Sequence, residues 1–384
     1  MRLDMLNSRR TFLRAVTRTL MLPALALVTL LLVSQPAIGL TELRGTVADS
    51  QGQGLAGIAV RFYGPREENV GDRAELAQTT TDDQGRFRLE VDRGSGELLE
   101  LEGPEGIGRL RIDGQPLPLE LTYPVRTTVV LLHDNDLHFD FNHQEAFGEM
   151  VQDVRARYEH VFLLNAGDVF IRRPSQWSEP TLEFYARASR DIIAAMNRFG
   201  YDALTLGNHE MDYHEDATLQ ALSAAEFPLL VANVEITTDL LPPVEPYTVL
   251  RMNNDLTVAV LGLGRAVTKE GVRARDPIAT AREYVHLADE HDIFVGLTHI
   301  GYRTDQQLAE AIGVLDVIIG GHSHTMLEEA VLVNGVLIAQ TRGTSGAVNP
   351  DRPKYLGKIK LTLENGRIID KQGQAFTITG TEGS

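Results

Sequence analysis

Cysteine does not occur anywhere in the 384-residue chain. Its absence excludes disulfides, thiolate zinc sites, a cysteine nucleophile and a lipid-modified cysteine anchor. Any bound metal must therefore be held by His, Asp, Asn, Glu or Gln. Aromatic residues are scarce, at 6% with a single tryptophan, Trp177, so no aromatic cluster marks a glycan-binding face. Basic blocks are missing as well. The formal net charge is −17, and a field of that sign repels nucleic-acid backbones and anionic membrane surfaces. A nucleic-acid polymer is thus an unsuitable partner. A small anionic substrate requires a site with its own positive charge, and bound metal ions are often the largest local charges in a pocket.

A net positive segment lies at the start, where Arg2, Arg9, Arg10, Arg14 and Arg18 stand against Asp4. Ser8-Arg9-Arg10-Thr11-Phe12-Leu13 precedes an apolar stretch from Leu20 to Val33 and the small-x-small triplet Ala37-Ile38-Gly39. This segment resembles a twin-arginine signal peptide. The apolar stretch is short for a membrane span and follows a basic segment. The expectation is that residues 1–39 are cleaved near Gly39, leaving no stable membrane anchor and a periplasmic or otherwise extracytoplasmic protein. The twin-arginine route exports folded proteins, so the cytoplasm would supply the metal.

With 43% hydrophobic residues, the remainder is long enough for one large core and a smaller second domain. Residues 40–125 read as all-β: Ile58, Val60 and Phe62 alternate, as do Phe87, Leu89 and Val91, and again Leu117, Leu119 and Leu121. Arg44-Gly45-Thr46-Val47, Gly57-Ile58-Ala59-Val60 and Thr81 to Phe87 resemble the carboxypeptidase regulatory-like β-sandwich; a rigid spacer or packing partner is expected, and a surface- or glycan-binding module is the alternative. From residue 126 the pattern becomes short apolar strands between amphipathic helices, as in α/β architecture. Strands are expected at 127–132, 161–164, 203–206, 257–261, 293–297 and 317–319, with more strand-like runs from 331 to 378. A helix is expected after Ser178, opened by Pro180 and stopped by Gly200.

Beyond these strands come Asp136-Leu137-His138, Gly167-Asp168, Gly207-Asn208-His209-Glu210, His299 and Gly321-His322-Ser323-His324. Sites in open α/β sheets gather outside the carboxyl ends of the strands, so scattered segments converge there. Asp-x-His at a strand end aims both side chains to one side, because strand side chains repeat with period two. His322 and His324 repeat the device. Asp168, backed by Gly167, is placed to bridge two cations.

The runs His133 to His138, Asn165 to Asp168, Thr205 to Asp212 and Gly320 to Thr325 resemble the successive motifs of 5'-nucleotidase catalytic domains, in the calcineurin-like metallophosphoesterase superfamily. The resemblance covers roughly 127–363 and implies a four-layer α/β/β/α sandwich over 126–384. It implies two divalent metal ions, Zn, Mn or Fe, one held by Asp136, His138, Asp168 and His324, the other by Asp168, Asn208, His299 and His322. It also implies phosphate-ester hydrolysis by a hydroxide between the ions, with His209 donating to the phosphoryl group or leaving oxygen and Asp212 orienting His209. Glu210 reads as structural, and His133 and His214 as near neighbours of the site.

Two departures bear on the substrate. Phe139 stands where the family usually has a small residue, which predicts a narrower pocket. Only a short tail follows Leu363 in this sequence, shorter than the domain that stacks the nucleobase in full-length 5'-nucleotidases, so the expectation is that nucleotide specificity does not carry over from the resemblance. The loop from Phe170 to Glu179, with Arg172, Arg173 and Trp177, offers a partial replacement or an ordinary surface loop. A small phosphate ester is the expected substrate. The alternatives are a sulfur ester, as in thiosulfohydrolases on the same scaffold, and a non-catalytic binding protein.

Overall fold

The computed structural model describes residues 41–65, 73–92, 96, 98–112, 114–140, 143–171, 179–212, 216–237, 242–265, 271–343 and 353–378. The signal-like segment, Arg172, Arg173, Trp177 and His214 lie outside these residues. No described helix is long and apolar enough to cross a membrane.

Two six-stranded sheets form the centre. In chain-neighbour order the first is Leu229–Leu230, Ala203–Thr205, His160–Asn165, Arg126–Asp134, Lys354–Glu364 and Arg367–Ile378. The second is Tyr247–Arg251, Thr257–Gly264, Ile293–His299, Val317–Ile319, Val336–Ala339 and Val331–Val333. Within each sheet the four consecutive strands that lead toward the polar motifs are parallel, so those strands end on one edge.

Period-two side chains divide each central strand between two cores. Val129 and Leu131 join Val258, Val260, Val295 and Leu297 in the cluster between the sheets. Val130 and Leu132 face the other way, onto Phe147 and Val151 of the helix Gln144–Arg157 and Ile192 and Met196 of the helix Glu179–Phe199. Ala259 and Leu261 likewise pack outward, on Leu308 and Ala309 of the helix Tyr302–Ala311. The order is helix, sheet, sheet, helix, and burial on both faces explains why these strands read as continuous apolar runs. The helix after Ser178 stops where expected: Gly200 has φ +67, a left-handed terminus that glycine adopts without steric cost.

Residues before 126 form a three-stranded and a four-stranded sheet. Leu43, Phe87, Leu89 and Leu119 from one meet Val60, Phe62, Leu99 and Leu101 from the other in a single core. Leu117, expected in a strand, lies just before Leu119–Thr122. Arg73 fastens this part to the larger one, with Nε 2.6 Å and Nη2 3.2 Å from the two carboxylate oxygens of Asp255. Asn365 adds a second fastening, accepting from the Val125 N–H and donating to the Glu105 carbonyl.

Candidate metal centre

Five strand ends deliver the polar residues to one place. Asp136 and His138 follow the strand Arg126–Asp134, Asp168 follows His160–Asn165, and Asn208 opens the short helix Asn208–Asp212 after Ala203–Thr205. From the second sheet come His299, the last residue of its strand, and His322 and His324 beyond Val317–Ile319. The ligand-type atoms of Asp136, His138 and His324 lie within 4.8 Å of one another, as do those of Asp168, His299 and His322. A third such group joins His209 to His138 and Asp168.

The backbone is bent to achieve this. Asp136, His138, Asp168, His322 and His324 all have φ between +48 and +75, a region that costs a non-glycine residue of order 1 kcal/mol or more and that persists only where the surroundings enforce it. Glycines supply the clearance. A Cβ on Gly207 would fall 2.1 Å from Asp168 Oδ1, and one on Gly321 would fall 2.4 Å from the Ala166 carbonyl oxygen.

Each carboxylate is held on one side and presented on the other. Asp136 Oδ2 accepts from Asn135 Nδ2 at 2.5 Å and from the His322 N–H at 3.0 Å, while Oδ1 faces His324 Nε2 at 3.5 Å and His299 Nε2 at 4.0 Å. Asp168 Oδ1 accepts from the His209 N–H at 2.9 Å. Its Oδ2 faces His299 Nε2 at 3.1 Å, His138 Nε2 at 3.6 Å and His209 Nε2 at 3.7 Å, which makes it the hub of the cluster.

The donor set fits cations. His299 Nδ1 lies 2.7 Å from the Ala166 carbonyl oxygen and so must be its N–H, leaving the Nε2 lone pair aimed at a carboxylate oxygen in the neutral ring. Two electron-rich atoms at that separation call for positive charge between them or on the ring. Burial opposes that charge, yet Asp168 and Asp136 push the His299 pKa up to about 10. Burial likewise opposes ionisation of Asp168, and His299, His138 and His209 hold it well below the usual carboxylate range. Asn208 Oδ1, also buried, meets no donor among the described residues. Imidazole, carboxylate and amide oxygen together suit Zn, Mn or Fe.

His209 stands on the open side, 16% exposed, with Nδ1 3.1 Å from Asp212 Oδ2. Burial lowers its pKa, but the Asp212 hydrogen bond and the Asp168 charge outweigh it and the net shift is upward. Glu210 is fully buried and accepts from the N–H groups of Gly207, Asp168 and Phe170 at 2.8, 3.0 and 2.9 Å. It clasps the Asp168 loop to the Asn208 helix, a structural place in keeping with its sequence reading. His133 is buried over Gly357, whose Cβ would fall 2.1 Å from its Nε2.

Phe139 differs from the expectation of a narrowed pocket. Its ring packs on Phe170 and Tyr185 at 5.4 and 5.6 Å between centroids, joining the core beneath the helix Glu179–Phe199. Four contributors escaped the sequence reading. Asn135 braces Asp136, and buried Lys354 pairs with Asp140. Asp305, buried beside Thr298, has its pKa pushed up to about 7 by burial. Arg265 Nη1 lies 2.6 Å from His322 Nε2. Asn135 lies inside the run His133 to His138 and was within reach of local reading; the Lys354–Asp140 pair, Asp305 and Arg265 carry no local signal.

The two-sheet sandwich with a carboxylate and histidine cluster across its strand ends defines a metal-dependent phosphoesterase scaffold, and the calcineurin-like phosphoesterase family model matches residues 129–326. The chain belongs to that family. It is 26% identical over 63% of its length to the trifunctional nucleotide phosphoesterase YfkN of Bacillus subtilis, covering 18% of that protein. Among solved structures it is similar to a 5'-nucleotidase precursor from Thermus thermophilus, with TM-score 0.54 and 26% identity over 65% of this chain and 54% of that one. It shares the fold of the Thermus thermophilus sulfate thiohydrolase SoxB, with TM-score 0.52 and 18% identity over 65% of this chain and 56% of that one. The chain spans about half or less of the length of these relatives.

Proposed function

We propose that the chain is an exported phosphoesterase that hydrolyses small phosphate esters, nucleotides among them, at two divalent metal ions. The observation that carries this reading is Asp168 Oδ2, faced at once by His138, His209 and His299. Asp136, His138, Asp168 and His324 would hold one ion, and Asp168, Asn208, His299 and His322 the other. Such a pair, when bound, supplies Lewis acidity toward the phosphoryl oxygens and an activated water as nucleophile.

The chain's own residues do the rest. The Asp212 carboxylate fixes the His209 ring and stabilises its protonated form, so that Nε2 delivers a proton to the leaving oxygen as charge develops there. Glu210 and Asn135 keep Asp168 and Asp136 in place without touching substrate. The sheets of residues 40–125 act as a spacer fastened by Arg73 and Asn365. Acceptance of nucleotides rests on the similarity to YfkN and to the Thermus 5'-nucleotidase precursor.

Phosphate release by metal-replete protein, measured over phosphomonoesters, phosphodiesters, nucleotides and sugar phosphates, tests the reading. Turnover should vanish on chelation and return with metal. His209→Ala should keep its metal content and lose about 100-fold or more in turnover; an unchanged rate removes His209 from the mechanism. No phosphate release, but sulfate release from a sulfur ester, would favour the sulfur-ester alternative, and no turnover on either would favour a binding role. Export rests on Arg9 and Arg10: replacing both with Lys should leave precursor in the cytoplasm, and normal export would refute that route.

A further inference from the structure

The strand Thr257–Gly264 runs parallel to Ile293–His299, and Gly264 stands opposite His299 in that ladder. The residue after Gly264 therefore emerges on the edge where the centre lies. That residue is Arg265, and its Nη1 sits 2.6 Å from His322 Nε2. A guanidinium only donates and keeps its charge at any working pH, so the nitrogen facing it offers a lone pair. His322 belongs to the group it forms with Asp168 and His299, so the guanidinium stands beside the second proposed ion position.

A fixed positive charge beside a cluster that gathers cations works against ion binding. That conflict is resolved if the guanidinium meets an anion that the ions also hold. Its planar fork matches two oxygens of a phosphoryl group.

We propose that Arg265 is a substrate-binding residue that grips the non-bridging oxygens of the phosphoryl group and selects phosphomonoesters over phosphodiesters. A monoester has one more unsubstituted oxygen and more negative charge than a diester, so the fork gains most from it. This proposal rests on the hydrolase reading above. It gives the exposed rim near His322 the task of recognition, while His209 serves the leaving group.

The test compares metal-loaded wild type with Arg265→Gln and Arg265→Lys, using inorganic phosphate binding by calorimetry, KM and kcat for a monoester and a diester, and metal content. Arg265→Gln should weaken phosphate binding and raise the monoester KM by about tenfold or more, with the diester KM little changed and metal content intact. Arg265→Lys should recover part of the loss, since charge returns without the fork. Wild-type turnover and phosphate binding with an unaltered Gln variant would overturn the proposal alone. So would a fall in metal content in the Gln variant, which would make Arg265 a support for His322. A wild type that neither binds phosphate nor hydrolyses any ester would overturn this proposal and the hydrolase reading together.

Discussion

At the scale of single residues, the centre joins residue types that the motifs announce to backbone angles that nothing in the sequence announces. Asp136 with His138 and His322 with His324 were singled out because two side chains at spacing two beyond a strand would share a side, but none of the four lies in a strand and His322 and His324 join different groups. The left-handed φ of these four residues and Asp168 was illegible, since no local rule assigns that conformation to Asp or His outside a turn. His133 offers a clean test of burial. Burial pushes its pKa down from 6.5 to about 4, so the folded protein holds it neutral where the unfolded chain protonates it. Its share of stability is complete above pH 6.5 and is lost as pH falls toward 4, at up to about 1.4 kcal/mol per pH unit. Urea unfolding across that window should show a shallower pH slope for His133→Gln than for wild type; identical slopes would locate the dependence elsewhere.

Elements repeat the contrast. The helix after Ser178 and the apolar strands are recognisable from composition because burial on both faces demands uninterrupted hydrophobic runs. What braces the loop carrying Asp136 and His138 is another matter. Asp140, two residues beyond His138, pairs with Lys354 at the start of the strand Lys354–Glu364, 214 residues away, and both are buried. No spacing rule connects positions so remote. Removing one member strands a buried charge, so Asp140→Ala should lower unfolding stability by about 3–5 kcal/mol. Adding Lys354→Met should restore most of it, because the buried charge that lost its carboxylate is then gone. Chemical denaturation of the three variants decides the matter, and a double variant no better than Asp140→Ala would show that the pair does more than neutralise itself.

For the molecule as a whole, alternation of strands and helices was enough to read an α/β fold, whereas the order of strands was not. Local sequence carries no record that Arg126–Asp134 lies between His160–Asn165 and Lys354–Glu364, a neighbour drawn from far along the chain. Every proposed metal-binding residue precedes residue 325, yet the first sheet is finished only by the hairpin of Lys354–Glu364 and Arg367–Ile378. A chain ending at residue 343 would keep all those side chains. It should nevertheless fail to retain two equivalents of metal on gel filtration, and full retention would show that the hairpin is dispensable. During synthesis the same geometry delays maturation. The ribosome must release the strand Lys354–Glu364, far along the chain, before the strand leading to Asp136 acquires its second neighbour, and contacts between such distant segments form slowly. The nascent chain therefore passes through a period in which its ion-binding groups are all made and the scaffold to align them is not, a window in which assistance from chaperones would govern yield.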